Sequence, residues 1–364
     1  PSTQNTPKDV AAADAFFQGT EKIVKIKITK DGLEVYEEEK DERFTRNEYN
    51  HAPVLTLPGK HIDYKCIDSN NEVCTNGIVE DNEEHWNSKK YFIPEINNLE
   101  IHEVNTLNLF TVSDGCIKET DSKATGYEIT NGVINIEVEK TFQVSAQSRC
   151  MVRLFYSDNL RSASFKVKYF YSMVRLKDLA SDNYEVVDYP EKDHNKFGFF
   201  KNQETKLSVD FDRSRMIEKY TLNRFNPKKD TIKHHLSKTF GYPENTFLKK
   251  ATEEVIVKLN KSLNKANANI QIKLIEPPKE DEDDIKSGDL RINSIVLIDD
   301  PLANGLLGYG PSVTNPRTGE IVQAHTNMYS GVLRSMTRHV YNQMVNLSSE
   351  LLTSTNEVES TNLS

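Results

Sequence analysis

Between residues 21 and 212 the chain is written in short runs in which apolar and polar side chains alternate one by one. Ile23-Val24-Lys25-Ile26-Lys27-Ile28, Gly132-Val133-Ile134-Asn135-Ile136-Glu137-Val138 and Phe165-Lys166-Val167-Lys168-Tyr169-Phe170-Tyr171 are examples. Successive side chains of an extended strand point to opposite faces, so a period of two gives a sheet with one dry and one wet face. Turn formers separate the runs, as at Lys30-Asp31-Gly32 and Thr130-Asn131-Gly132, and favour antiparallel pairing. The pattern predicts a β-rich N-terminal domain over 21–212. Residues 1–20 are rich in Pro, Thr, Asn and Ala without a period and are expected to form a flexible tail.

The pattern changes after Arg215. Leu248, Ala251, Val255, Leu259 and Leu263 recur at steps of three and four, which predicts a helix over 246–264 with that stripe on one face. Pro243 precedes it, and Asn245 or Thr246 can cap it. An alternating strand is expected over 269–275, stopped by Pro277-Pro278, and a second over 290–298 that ends as a continuous apolar run suited to burial on both faces. The acidic stretch 279–284 lacks the ligand spacing and turn glycine of a calcium loop and reads as a solvated loop. Strands over about 305–313 and 320–329 flank Asn315-Pro316-Arg317-Thr318-Gly319, a type I turn or short hairpin loop. A last helix is expected over 332–345, with Leu333, Met336, Val340 and Met344 on one face, followed by a disordered linker over 346–364. The fold class is α+β: a β-rich N-terminal domain, then an α/β unit over 216–345 in which a helix packs on a twisted sheet.

Composition excludes some partners. A formal charge of −9 and the lack of a basic stripe argue against nucleic acid. No apolar run approaches the ~18–20 residues of a spanning helix. No secretory leader is visible, and Pro1 rather than Met stands first, which reads as a processed end. The four cysteines all lie in the first half. Cys66 and Cys74 flank a short polar loop and suggest one disulfide, with Cys116–Cys150 as the natural second pair; other pairings, ordinary thiols and a zinc site stay open. Disulfides would imply an oxidising place: periplasm, outer surface or medium.

One dense block carries a resemblance. Gly288-Asp289-Leu290-Arg291-Ile292-Asn293-Ser294-Ile295, then Asp299-Asp300-Pro301, Gly308-Tyr309-Gly310-Pro311-Ser312 and Asn315-Pro316-Arg317-Thr318-Gly319-Glu320-Ile321 are similar to the signature of bacterial zinc-dependent metalloproteases of the metzincin type, related to the matrixin and astacin branches. The helix at 246–264 takes the place of that family's first catalytic-domain helix, with Leu259-Asn260 where Trp-Asn is usual. Lys196-Phe197-Gly198-Phe199-Phe200 is similar to an upstream segment of the same proteases. In such enzymes a sheet edge lies antiparallel to the bound peptide and grips its backbone. The resemblance assigns that edge here to Leu306, Leu307, Gly308, Tyr309 and Gly310, where glycines would let a substrate backbone come close; a mere kink or bulge at the glycines is the rival.

The resemblance also implies zinc, but in a longer parent. A zincin needs two histidines one helical turn apart and a glutamate beside the first. None of the nine histidines begins H-E-x-x-H; the nearest decoy, His102-Glu103-Val104-Asn105-Thr106, ends in Thr. His234-His235 are adjacent and expected in a loop or on the surface, and His325 is a conceivable metal ligand without matching partners. No catalytic residue and no metal ligand is therefore assigned to this chain. Two readings follow. One is the N-terminal portion of a secreted or lipid-anchored zinc metalloendopeptidase acting on extended peptides, ending before the zinc helix and inactive alone. The other is a non-catalytic peptide- or surface-binding protein on a degenerate protease scaffold.

Overall fold

The computed structural model describes residues 2–5, 18–19, 21–38, 52–67, 69–70, 73–74, 77–102, 117–147, 163–207, 216–299 and 307–361. The N-terminal strands are β1 (Ser2–Asn5), β2 (Val24–Thr29), β3 (Gly32–Glu37), β4 (Leu55–Ile62), β5 (Tyr64–Cys66), β6 (Ser69–Asn70), β7 (Val73–Cys74), β8 (Ile78–Glu80), β9 (Tyr91–Pro94), β10 (Glu100–Ile101), β11 (Ile117–Thr130), β12 (Val133–Val144) and β13 (Ser164–Val174). They build two larger antiparallel sheets, in the orders β1-β13-β12-β11 and β10-β4-β3-β2, with β9 on β4, and two antiparallel strand pairs, β5-β8 and β6-β7.

The alternation explains their common core. Ile136, Val138, Phe142 and Val144 of β12 and Phe165, Val167, Tyr169 and Tyr171 of β13 pack against Val35, Leu55 and Leu57 of the second sheet. Each apolar side chain so buried contributes roughly 1.5–3 kcal/mol. The tight turn between β11 and β12 sits on Asn131-Gly132, where Gly132 has φ 89°. Cys66 and Cys74 form the expected disulfide, with Cα atoms 5.5 Å apart. The Cys116–Cys150 pairing lies outside the described residues.

Short helices α1 (Leu176–Leu179) and α2 (Glu191–Phe197) and the hairpin β14 (Lys201–Leu207) with β15 (Met216–Leu222) lead to the second unit. Its elements are β16 (Thr231–Leu236), α3 (Thr246–Lys265), β17 (Gln271–Ile275), β18 (Asn293–Ile298), β19 (Gly308–Tyr309), β20 (Ser312–Thr314), β21 (Ile321–Tyr329) and α4 (Ser330–Thr361). One sheet runs β17-β16-β18-β21-β19, with β20 also on β21. The first three pairings are parallel; β19 and β20 are antiparallel to β21. The fold is therefore strand-rich α+β.

Several expectations are corrected. Ser2–Asn5, read as tail, pairs with β13, because backbone hydrogen bonds to a sheet edge do not require a side-chain pattern. Helix α4 continues through Thr361 where a disordered linker was expected; no proline interrupts it, and Leu347, Glu350, Leu351, Leu352, Glu357 and Glu359 favour the helix among weaker Ser, Thr and Asn. Leu333, Met336, Val340 and Met344 do share a face of it, but that face is exposed, and Val332 of the first turn is what enters the core. The inward face of α3 keeps Leu248, Ala251 and Leu263 of the predicted stripe but not Val255 and Leu259. Leu248, Thr252 and Asn260 turn inward, while Val255 and Leu259 are exposed. The Asn260 amide is the reason: it donates to Ile272 O and accepts from Ile272 N, both at 2.8 Å, so it must face β17.

Asn293 does the same for the parallel strands. Its Nδ2 donates to Lys233 O of β16 at 2.9 Å and its Oδ1 accepts from Ala324 N of β21 at 2.8 Å. One side chain thus spans β18 and ties both neighbours. Replacing it by Ala removes both bonds, at a cost of about 1–3 kcal/mol. Urea unfolding of Asn293→Ala is expected to move its midpoint down with an unchanged slope; Asn293→Asp, which keeps the acceptor alone, should fall between. An unchanged midpoint in Asn293→Ala would contradict this assignment.

Candidate functional site

Four of the five expected edge residues are described; Leu306 is not. Gly308 and Tyr309 form β19, the last strand of the sheet, paired antiparallel with Met328 and Asn327. Leu307 before it is 58% exposed, and Gly308 and Gly310 are exposed. The continuous strand expected over 305–313 is instead two short ones. Pro311 separates them, since it has no N–H to give a ladder; its carbonyl accepts from His325 N at 3.1 Å.

The two glycines are not forced by their own surroundings. Neither has a positive φ. A Cβ on Gly308 would lie 3.6 Å from Asn327 O, and one on Gly310 would lie 3.8 Å from His325 O, which are ordinary contacts among the described residues. Gly319 is different: its φ is +79° and a Cβ would lie 2.6 Å from Leu222 O. Packing explains glycine at 319 and leaves 308 and 310 to another cause.

Behind the edge, one face of the sheet carries a row of polar residues beside the apolar cluster of Val296, Ile298 and Tyr329. The register sets His235, Ser294 and His325 side by side on β16, β18 and β21, and Tyr309 beside Asn327. His325 and Asn327 are fully buried, and the Tyr309 ring meets His325 edge-on at 6.3 Å. Burial pushes the Tyr309 hydroxyl above its ordinary pKa, and the backbone of Gln18 opposes this through a hydrogen bond. The expected loop or surface place for His234-His235 is corrected: they sit on β16, where alternation sends His234 to the face that carries Leu236 and α3 and His235 to the other. Burial lowers the pKa of both, so they are biased to the neutral form. His102 pairs with Glu100 at 3.3 Å. Among the described residues no three His, Cys, Asp or Glu side chains converge where a metal could sit, so these residues do not fit a zinc set and no zinc step is derived from them.

The block that carries the protease resemblance has a different visible task. Arg291 donates from Nη1 and Nη2 to Glu128 of β11 at 2.6 and 2.9 Å, and from Nε and Nη2 to Asp289 at 3.0 and 2.7 Å. The residues Gly288–Arg291 therefore turn rather than start the strand expected at 290, with the Asp289 carboxylate also taking Arg291 N. Lys286 reaches Glu137 at 2.8 Å, Leu290 N donates to Ser172 Oγ, and Arg317 reaches Glu38 at 2.5 Å. Thr314 donates from N and Oγ1 to Glu21. Glu320 is fully buried and accepts from Ser181 N at 2.9 Å and Ser181 Oγ at 2.5 Å, with Lys229 Nζ 3.5 Å away. The turn 315–319 forms as expected, with Gly319 N and Thr318 N both donating to Asn315 O. The block thus clamps the second unit to the N-terminal sandwich and the segment 181–229. Sequence reading missed this because Glu128, Glu38 and Ser181 are ordinary residues of an acidic, polar chain until the fold brings them near.

Glu320→Ala is expected to cost about 2–3 kcal/mol, because buried hydrogen bonds to a charged acceptor are lost together; Glu320→Gln should cost less. Thermal melts decide this. The Arg291 guanidinium beside Glu128 holds that carboxyl below its ordinary pKa of 4.5. The folded value is depressed, so the pair stabilises above the ordinary value and its contribution is lost as pH falls through the folded value. The pair is two-fifths exposed, so the gap between wild type and Glu128→Gln should be no more than about 1 kcal/mol at neutral pH and should close in acid. A gap that widens on acidification would contradict it.

No protein-family model, curated protein or solved structure matches this chain.

Proposed function

We propose that this chain is the substrate-aligning part of a secreted or surface zinc metalloendopeptidase, and that β19 with Gly310 receives an extended peptide. In the parent enzyme zinc would activate the water that cleaves the peptide bond. The residues of this chain would bind and orient: Leu307 turns its carbonyl to Tyr329 N of β21, so by alternation the backbone groups of Gly308 and Gly310 are the ones that would pair with the peptide as an added antiparallel strand, which tolerates many sequences. One observation carries the reading. Gly308 and Gly310 lack side chains where the described surroundings would admit them, on an exposed strand at a sheet edge. A close-approaching outside backbone accounts for that. The sequence block similar to metzincin proteases, which contains both glycines, supports the same assignment.

Gly310→Ala separates this from a purely structural glycine. The substitution should leave the melting temperature unchanged or slightly raised, because it lowers the entropy of the unfolded chain. Binding of fluorescein-labelled casein peptides, read by anisotropy, should weaken roughly tenfold. Unchanged peptide affinity, or no peptide binding by the native chain, would remove the edge assignment. Zinc content and casein hydrolysis by the polypeptide encoded by the whole gene test the chemistry. Peptide binding without zinc or hydrolysis would favour a non-catalytic peptide-binding protein.

A further inference from the structure

A cavity of about 670 Å³ lies between the N-terminal sandwich and the second unit. Its walls come from both: Val24, Ile134 and Met173 from the two sheets, Leu179 from α1, and Leu290 and Val322 from the clamp side. Val24, Val54, Ile101, Ile134 and Met173 pack their inner sides on the sandwich core while remaining half-buried, and all five line this space. Protein interiors normally close such gaps, and apolar walls hold water poorly. Spaces of about 300–1,000 Å³ with apolar walls and a few polar groups are the usual form of small-ligand sites.

We propose that this cavity binds a single-chain lipid with an anionic head, a fatty acid being the simplest case. The apolar walls select the chain. A peptide would bring N–H and C=O groups needing partners, and the Glu21 carboxylate and Thr314 at the wall already bond each other. The head-group sign follows from the cations on the same wall. Arg175 pairs with Asp178 at 2.7 Å and Lys22 with Glu37 at 2.6 Å, whereas Lys177 is exposed and forms no ion pair among the described residues. Lys177 is therefore the group available to a carboxylate, with its stem lying along the apolar mouth. Because the walls belong to both units, the bound chain would also bridge them. The site is separate from the β19 edge and independent of the protease reading.

The test is titration of the native chain with the fluorescent fatty acid cis-parinarate, with displacement by palmitate, by hexadecanol and by phosphatidylglycerol vesicles. One saturable site, displaced by both single-chain compounds and raising the melting temperature, is expected. Lys177→Glu, at an exposed position, should weaken palmitate about two- to fivefold and leave hexadecanol unchanged. Met173→Trp should narrow the space and weaken both; Val24→Trp serves if that variant does not fold. No saturable binding, vesicle binding without fatty-acid binding, equal effects of Lys177→Glu on acid and alcohol, or full affinity in the folded tryptophan variant would each overturn the proposal.

Discussion

The Arg291 guanidinium holds two carboxylates at once, Asp289 within its own turn and Glu128 across the seam on β11. Its planar fork can do this and a lysine cannot, because four aligned N–H bonds need a fixed plane. Two consequences follow. The chain before β18 must turn at Gly288, where φ is 87°, so that the guanidinium aims outward. The strand can then begin only at Asn293, whose side chain sets its neighbours on both sides. The seam and the register of the parallel sheet therefore depend on Arg291 and Asn293, two positions apart in one short segment.

What could be read from the sequence follows the range of the forces involved. Alternation in β12 and β13 is a local property, and the runs over 133–138 and 165–171 do form strands whose alternate residues Ile136, Val138, Phe165, Val167, Tyr169 and Tyr171 are buried, since a one-residue slip would turn the set to water. The helix over 246–264 was legible for the same reason, but its inward face only in part: Leu248, Ala251 and Leu263 are half-buried, while Val255 and Leu259 are exposed. Periodicity ranks faces by hydrophobicity, and here the Asn260 amide, bonded to the peptide of Ile272, decided the rotation against Leu259. The edge residues 307–310 could be placed through the glycine-bearing block. The clamp could not, because Glu128 and Arg291 are 163 positions apart, and nothing local distinguishes that glutamate from others.

Motif residues need not all serve one purpose. Asp289, Arg291, Asn293, Asn315, Gly319 and Glu320 each have an internal partner that accounts for them. Gly308 and Gly310, in the same block, have none among the described residues that requires glycine. Sorting the block by what packing demands therefore leaves a short remainder, and that remainder lies on the exposed edge strand. A binding role has more room there than in the block as a whole, whose density reflects the joining of two units.

The clamp also shapes the cavity. Its polar bonds run around the seam, through Arg291, Lys286, Arg317 and Thr314, while apolar residues from the same segments, Leu290 and Val313, face inward. Charged pairs at a rim fix distance and orientation but close no volume, since each holds its partners at hydrogen-bond length without filling the space behind them. Two units joined at the rim need not meet at the centre. The space remains because the sandwich core is complete without it: Ile136, Val138 and Val167 are buried by their own sheets. An apolar occupant would thus add to a fold that already stands, and its binding would read out as stabilisation of the seam rather than as folding.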